Sequence, residues 1–183
     1  MSRHDDAAER AGELAREGAF EETFALGGVL GALTRGLAFV GGLFLLATIV
    51  ITLVSVTGRY AFGAPVPGDY ELVEITCAIG VFLFFPYTQA IGGNIVAEFF
   101  TAGLPALGRR LLDVVNDVVF ALVAMTLTWR LYGGLVDKYT TGETSILIGI
   151  PLWWAYCVAV ASMALLSVVC WARAAVGAGA MRR

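Results

Sequence analysis

Residues 36–57 hold thirteen Leu, Ile, Val or Phe side chains and no charge. At about −0.3 to −0.6 kcal/mol each on the insertion scale, these side chains favour a membrane-spanning helix by several kcal/mol. Twenty-two residues at about 1.5 Å each match a hydrocarbon core near 30 Å. Arg59 and Tyr60 close the run at a membrane boundary. Three further apolar runs, at about 72–91, 112–136 and 151–171, repeat the pattern. The expected fold is therefore an all-α membrane protein with four transmembrane helices. Composition agrees. The 183-residue chain is 58% hydrophobic and 15% charged, where a soluble domain is about 45–50% apolar and 25% charged.

The segments between the runs define three parts: a tail over 1–35, a membrane domain over 36–172, and a short tail over 173–183. The first tail carries three Arg against seven Asp and Glu before Arg35. It lacks the basic start and brief apolar core of a secretory signal, so it is expected to be retained. A surface helix and an unordered segment suit it equally.

Residues 63–68, GAPVPG, stop any helix. Asp69 is expected to cap the second helix, with Glu71 in its first turn, where the dipole favours an anion. Pro86 predicts a kink, packed against neighbouring helices in preference to an unwound transport site with Gln89. In the 92–110 connection, Ile95, Val96, Phe99 and Phe100 stand at helical spacing beside Asn94 and Glu98. That predicts a short interfacial helix between the second and third spans. Arg109 and Arg110 follow and are expected to meet anionic lipid head groups. Pro151 suits the first position of the last helix. Trp153, Trp154 and Tyr156 mark one boundary of that helix, and Trp171 and Arg173 the other.

With four spans, nine of the twelve basic residues fall on the side of the two termini and the 92–110 connection. Only Arg59, Arg130 and Lys138 fall on the other. The positive-inside rule then places both termini in the cytoplasm.

Catalysis finds no support in the residues. The single histidine, His4, lies in the tail, and Cys77, Cys157 and Cys170 sit in apolar runs without a CxxC pair. No glycine-rich phosphate loop appears. With 12 basic against 15 acidic residues there is no basic surface for nucleic acid. No cofactor is expected in this chain. Charges within spans are the functional suspects. Asp113 and Asp117 are expected to act at the third helix start, pairing with Arg109 or Arg110. Arg130 either snorkels to the boundary or pairs with a partner helix. Glu71 and Glu74 mark a solvated helix start or a polar contact with another subunit. The halves of the chain show no repeat of the kind a complete carrier has, so a partner is expected.

The run RYAFGAPVPGDYEL over 59–72 resembles the small membrane subunit of tripartite ATP-independent periplasmic (TRAP) transporters, the DctQ-like family. The resemblance continues through NIVAE at 94–98, Leu104-Pro105 and Arg109, GETS at 142–145 and IPLWWAY at 150–156. It covers about residues 36–172. Asn94 and Glu98 stand where the family often has His and Asp, and Val158 and Ala159 where it often has Pro and Gly.

The resemblance implies a bacterial inner-membrane scaffold subunit. Its partners would be a large multi-spanning transport subunit and a periplasmic binding protein that delivers an organic acid. Sodium would be the coupling ion, held in the large subunit. On this reading Arg59, Glu71, Glu74, Arg130, Trp153 and Trp154 are candidates for the subunit interface. Pro65, Pro67, Asp69, Lys138 and Glu143 are candidates for docking the binding protein. Two alternatives remain at this point: a stand-alone small multidrug exporter acting as a homodimer, and a four-span structural protein. The first would want an acid inside the first span, and the second would want cysteines in the outer loops; neither is present.

Overall fold

A computed structural model describes residues 28–91 and 106–181, and these form four helices. They are α1 (Gly28–Phe62), α2 (Asp69–Ala90), α3 (Ala106–Thr141) and α4 (Trp153–Met181). Each is long and apolar enough to cross a membrane. Among the described residues there is no β-strand, only a single bridge between Thr144 and Pro151. Helices follow from the solvent: in hydrocarbon, backbone N–H and C=O groups find partners only within their own segment or a closed barrel. The expected interfacial helix falls largely at 92–105, outside the described residues.

The helices outrun the apolar stretches that announce them. At 35 and 36 residues, α1 and α3 are about 52 and 54 Å long. The first ends where Gly63 takes a left-handed φ of 66° and two prolines follow. Arg59 and Tyr60 therefore belong to its last turns. The second runs unbroken through the buried Pro86. The fourth starts at Trp153, two residues later than expected, because Pro151 is held in the bridge to Thr144.

Packing order differs from chain order. α1 packs on α2, α2 on α4, and α4 on α3, so α4 lies between α2 and α3. Its buried positions Ala159, Met163, Leu166, Cys170 and Ala174 recur at helical spacing. Met163, Leu166 and Cys170 meet Ala121 and Ala124 of α3, with Phe82 of α2 against the cluster.

α1 and α2 run antiparallel along a seam with a period of seven. Ser55 hydrogen-bonds to Asp69, and the Thr48 and Thr76 hydroxyls meet at 2.8 Å. One step further, a Cβ on Gly41 would lie 3.0 Å from the Gly80 carbonyl and from Leu83. Small residues here let two backbones approach, the usual basis of helix pairing where lipid offers no hydrophobic drive.

Candidate functional site

Two loops meet at one end of the bundle. The 63–68 turn leads into α2, and residues 143–152 lead into α4. The second loop folds on itself: the Ser145 amide donates to the Ile150 carbonyl at 2.9 Å, and the Leu152 amide to Glu143 at 3.2 Å. Its tip presents three successive amides to one carboxylate. Ile146 and Leu147 donate to Glu71 Oε1 at 2.9 and 3.0 Å, and Leu147 and Ile148 to Oε2, each at 3.2 Å. Successive N–H groups in a turn form a concavity suited to an anion. Here α2 supplies the anion from its own first turn.

The loops also touch through Gly68. Its φ of 72° is open to glycine, and a Cβ there would run into the Ile148 side chain. Glu71 and Gly68 thus join two loops some 75 residues apart in the chain into one platform. On that platform Ile146 is 94% exposed and Leu147 72%.

Asp69 does not cap α2. Gly68 holds the cap position without a side-chain bond, and Asp69 is the first helical residue. Its carboxylate is drawn instead to α1, accepting from Ser55 and lying 3.7 Å from the Arg59 guanidinium. Lys138 and Glu143 pair with each other across the end of α3. Pro65 and Pro67 are exposed in the turn. Trp153 stands edge-on to Tyr139 at 5.7 Å and to Trp154 at 5.8 Å, forming an aromatic boundary at this end. Glu74 is exposed one turn beyond Glu71 and has no hydrogen bond or ion pair among the described residues. Arg109 and Arg110 lie in the opening turns of α3, and their side chains fall outside the described residues.

A second polar group ties the opposite end together. Asp117, 6% exposed, accepts a 2.7 Å bond from Gln89 of α2 and lies 3.4 Å from Arg173 Nε of α4. Arg173 also donates to the Ala90 carbonyl at 3.3 Å, placing a cation at the C-terminus of α2. Arg173 therefore turns inward and does not only mark a boundary, and Asp117 takes its partners from α2 and α4. α3 starts at Ala106, so Asp113 and Asp117 lie beyond its first turn. Gln89 serves this tie on an intact helix, with no unwinding at Pro86.

Neither the tie nor the α1–α2 seam was singled out in the sequence. The seam had a signal: Thr34, Gly41, Thr48 and Ser55 recur every seventh residue along α1. The tie had none, because its members are 28 and 56 residues apart. Among the described residues no group of three or more His, Cys, Asp or Glu is placed to hold a metal ion. The site is one of surfaces and braces.

The family described as "Tripartite ATP-independent periplasmic transporters, DctQ component" matches residues 48–178. The chain belongs to the DctQ family. Comparison with curated proteins and with solved structures gave no match. The DctQ match begins inside α1 and spans both loops, the Glu71 clamp and the Asp117–Arg173 tie. It identifies the small subunit of a TRAP transporter, a multi-pass inner-membrane component of a tripartite assembly with large and periplasmic binding components. DctQ proteins are transporter components and not an enzyme family.

Proposed function

We propose that this DctQ subunit is a scaffold for a sodium-coupled TRAP transporter taking up an organic acid. The large subunit carries substrate and sodium, and this chain holds no cofactor. Both termini lie in the cytoplasm and the joined loops face the periplasm, in keeping with nine basic residues against three. The membrane domain is taken as residues 36–172 between the two tails. Arg109 and Arg110 are assigned to lipid head groups at the cytoplasmic face.

The observation that carries the docking role is the clamp of Glu71 on the 146–148 amides. It holds an apolar tip, Ile146 and Leu147, out from the membrane on a braced base. A surface fixed in advance loses little freedom when a partner binds. The binding protein docks there, with Pro65, Pro67, Asp69, Lys138 and Glu143 around the tip. Arg59 and Glu71 shape this end from within, while Glu74, Arg130, Trp153 and Trp154 contribute to the subunit interface.

The test is a mild-detergent purification of the tagged chain from its native membrane, with co-purifying proteins identified by mass spectrometry. A large multi-spanning protein is expected, and its complex should take up an organic acid only under a sodium gradient. Glu71→Gln should weaken capture of the periplasmic protein and loosen the complex. Recovery of the chain alone, as a small oligomer that transports by itself, would overturn the scaffold reading.

A further inference from the structure

α3 presents a face that the other described residues neither cover nor explain. Its inner face, with Asp117, Ala121 and Ala124, packs on α4. Roughly half a helical turn away lie Val119, Leu122, Thr126, Arg130 and Gly133, all exposed. Arg130 has no hydrogen bond or ion pair among the described residues, although it lies in the membrane-spanning part of α3, Leu112–Thr141.

Lipid phosphate is a poor match for this charge. The boundary at this end is marked by Tyr139 against Trp153. Tyr139 lies nine residues beyond Arg130, about 13.5 Å along the axis. The Cα–Cβ bond of a helical residue tilts toward the helix N-terminus. The Cα–Cβ bond of Arg130 therefore leaves α3 away from the nearer head groups, so a side chain reaching them has to turn back along the helix. A second copy of the chain is no better, since parallel pairing through this face would set Arg130 against Arg130.

Gly133 is the second observation. Its neighbour Gly134 is explained within the chain, because a Cβ there would lie 2.7 Å from the Tyr156 ring. A Cβ on Gly133 would meet no other described element within 4 Å. A mid-helix glycine weakens a helix, and this one does so with no internal contact to require it. It lies one turn from Arg130 on the open face, where its missing side chain admits a neighbouring helix backbone.

We infer that the Thr126–Arg130–Gly133 face of α3 docks a transmembrane helix of the large component, which presents a carboxylate to Arg130 within the bilayer. This deepens the scaffold reading and rests on it, because it takes the large component to lie beside this chain. An intramembrane charge demands a partner, and a desolvated pair fixes register as well as contact.

The test uses the complex in its native membrane. A photo-crosslinking residue at Thr126 should form its adduct with the large component. Arg130→Gln should lower recovery of that component about thirtyfold, as loss of one partner of a buried charge pair does. Melting of the isolated chain should stay unchanged, because Arg130 is exposed and makes no hydrogen bond or ion pair among the described residues. Arg130→Glu should lose the complex too, and a Lys replacing the facing acid of the large component should restore it. Crosslinks only to lipid or to a second copy, with the large component still recovered by the unaltered chain, would overturn this inference and leave the scaffold reading standing. No large component recovered by the unaltered chain would end both.

Discussion

Arg173→Leu isolates the tie between α2, α3 and α4. The substitution keeps an apolar side chain at the position but removes the countercharge of Asp117 and the donor to the Ala90 carbonyl. Breaking one side of a buried pair costs about 3–5 kcal/mol, because the remaining charge stays desolvated. Two facts favour the lower end: the Arg173 side chain is 21% exposed, and Asp117 keeps its bond from Gln89. Ordinary hydrogen bonds between membrane helices average only about 0.6 kcal/mol, so the stranded charge dominates. About 3 kcal/mol in a chain of this size corresponds to a fall in Tm of about 6–12 °C.

Removing both charges reverses the sign of the argument. Arg173→Leu with Asp117→Leu leaves neither charge buried and removes only the bond from Gln89, a loss of about 1 kcal/mol. The double variant should therefore melt above the single one. Cys170, fully buried beside the tie, is the reporter. With Cys77→Ser and Cys157→Ser as background, a thiol-reactive fluorophore reads unfolding in detergent as Cys170 becomes accessible. A single variant melting within about 2 °C of its parent, or a double variant melting below the single, would refute the reasoning.

Three further expectations concern other contacts. Gly41→Leu should force α1 from α2, since even a Cβ meets the Gly80 carbonyl at 3.0 Å; a loss of about 1–3 kcal/mol is expected in thermal melts. Gly133→Ala, facing open space, should instead raise the melting point of the isolated chain by up to about 1 kcal/mol in stability. Glu71→Gln should speed hydrogen exchange at the Ile146, Leu147 and Ile148 amides while leaving those of α4 unaffected.

The number and nature of the helices were legible because hydropathy and length are local quantities. The uncharged run at 36–57 could only be a span, and the prolines and glycines of 63–68 could only interrupt. The family too was legible, from short motifs kept in order along the chain. Which side of each helix faces protein was not. Lipid is as apolar as a protein core, so Leu46, exposed, and Leu83, buried, read alike in the sequence. Only the residues that lipid would not choose, one glycine and three hydroxyls at every seventh position in α1, hinted at an inner face.

By itself, then, the sequence determined a four-span membrane protein of the DctQ family with its helix breaks in place. Tertiary structure alone decided the packing order that sets α4 between α2 and α3. It also chose the partners of three carboxylates: Asp69 turns to Ser55 and Arg59, Asp117 to Gln89 and Arg173, and Glu71 to the amides of a loop 75 residues away. The physical reason is that a carboxylate binds whichever complementary group the packing brings within reach, Asp117 in a buried site and Glu71 at an exposed loop. Separation along the chain says nothing about which group that will be.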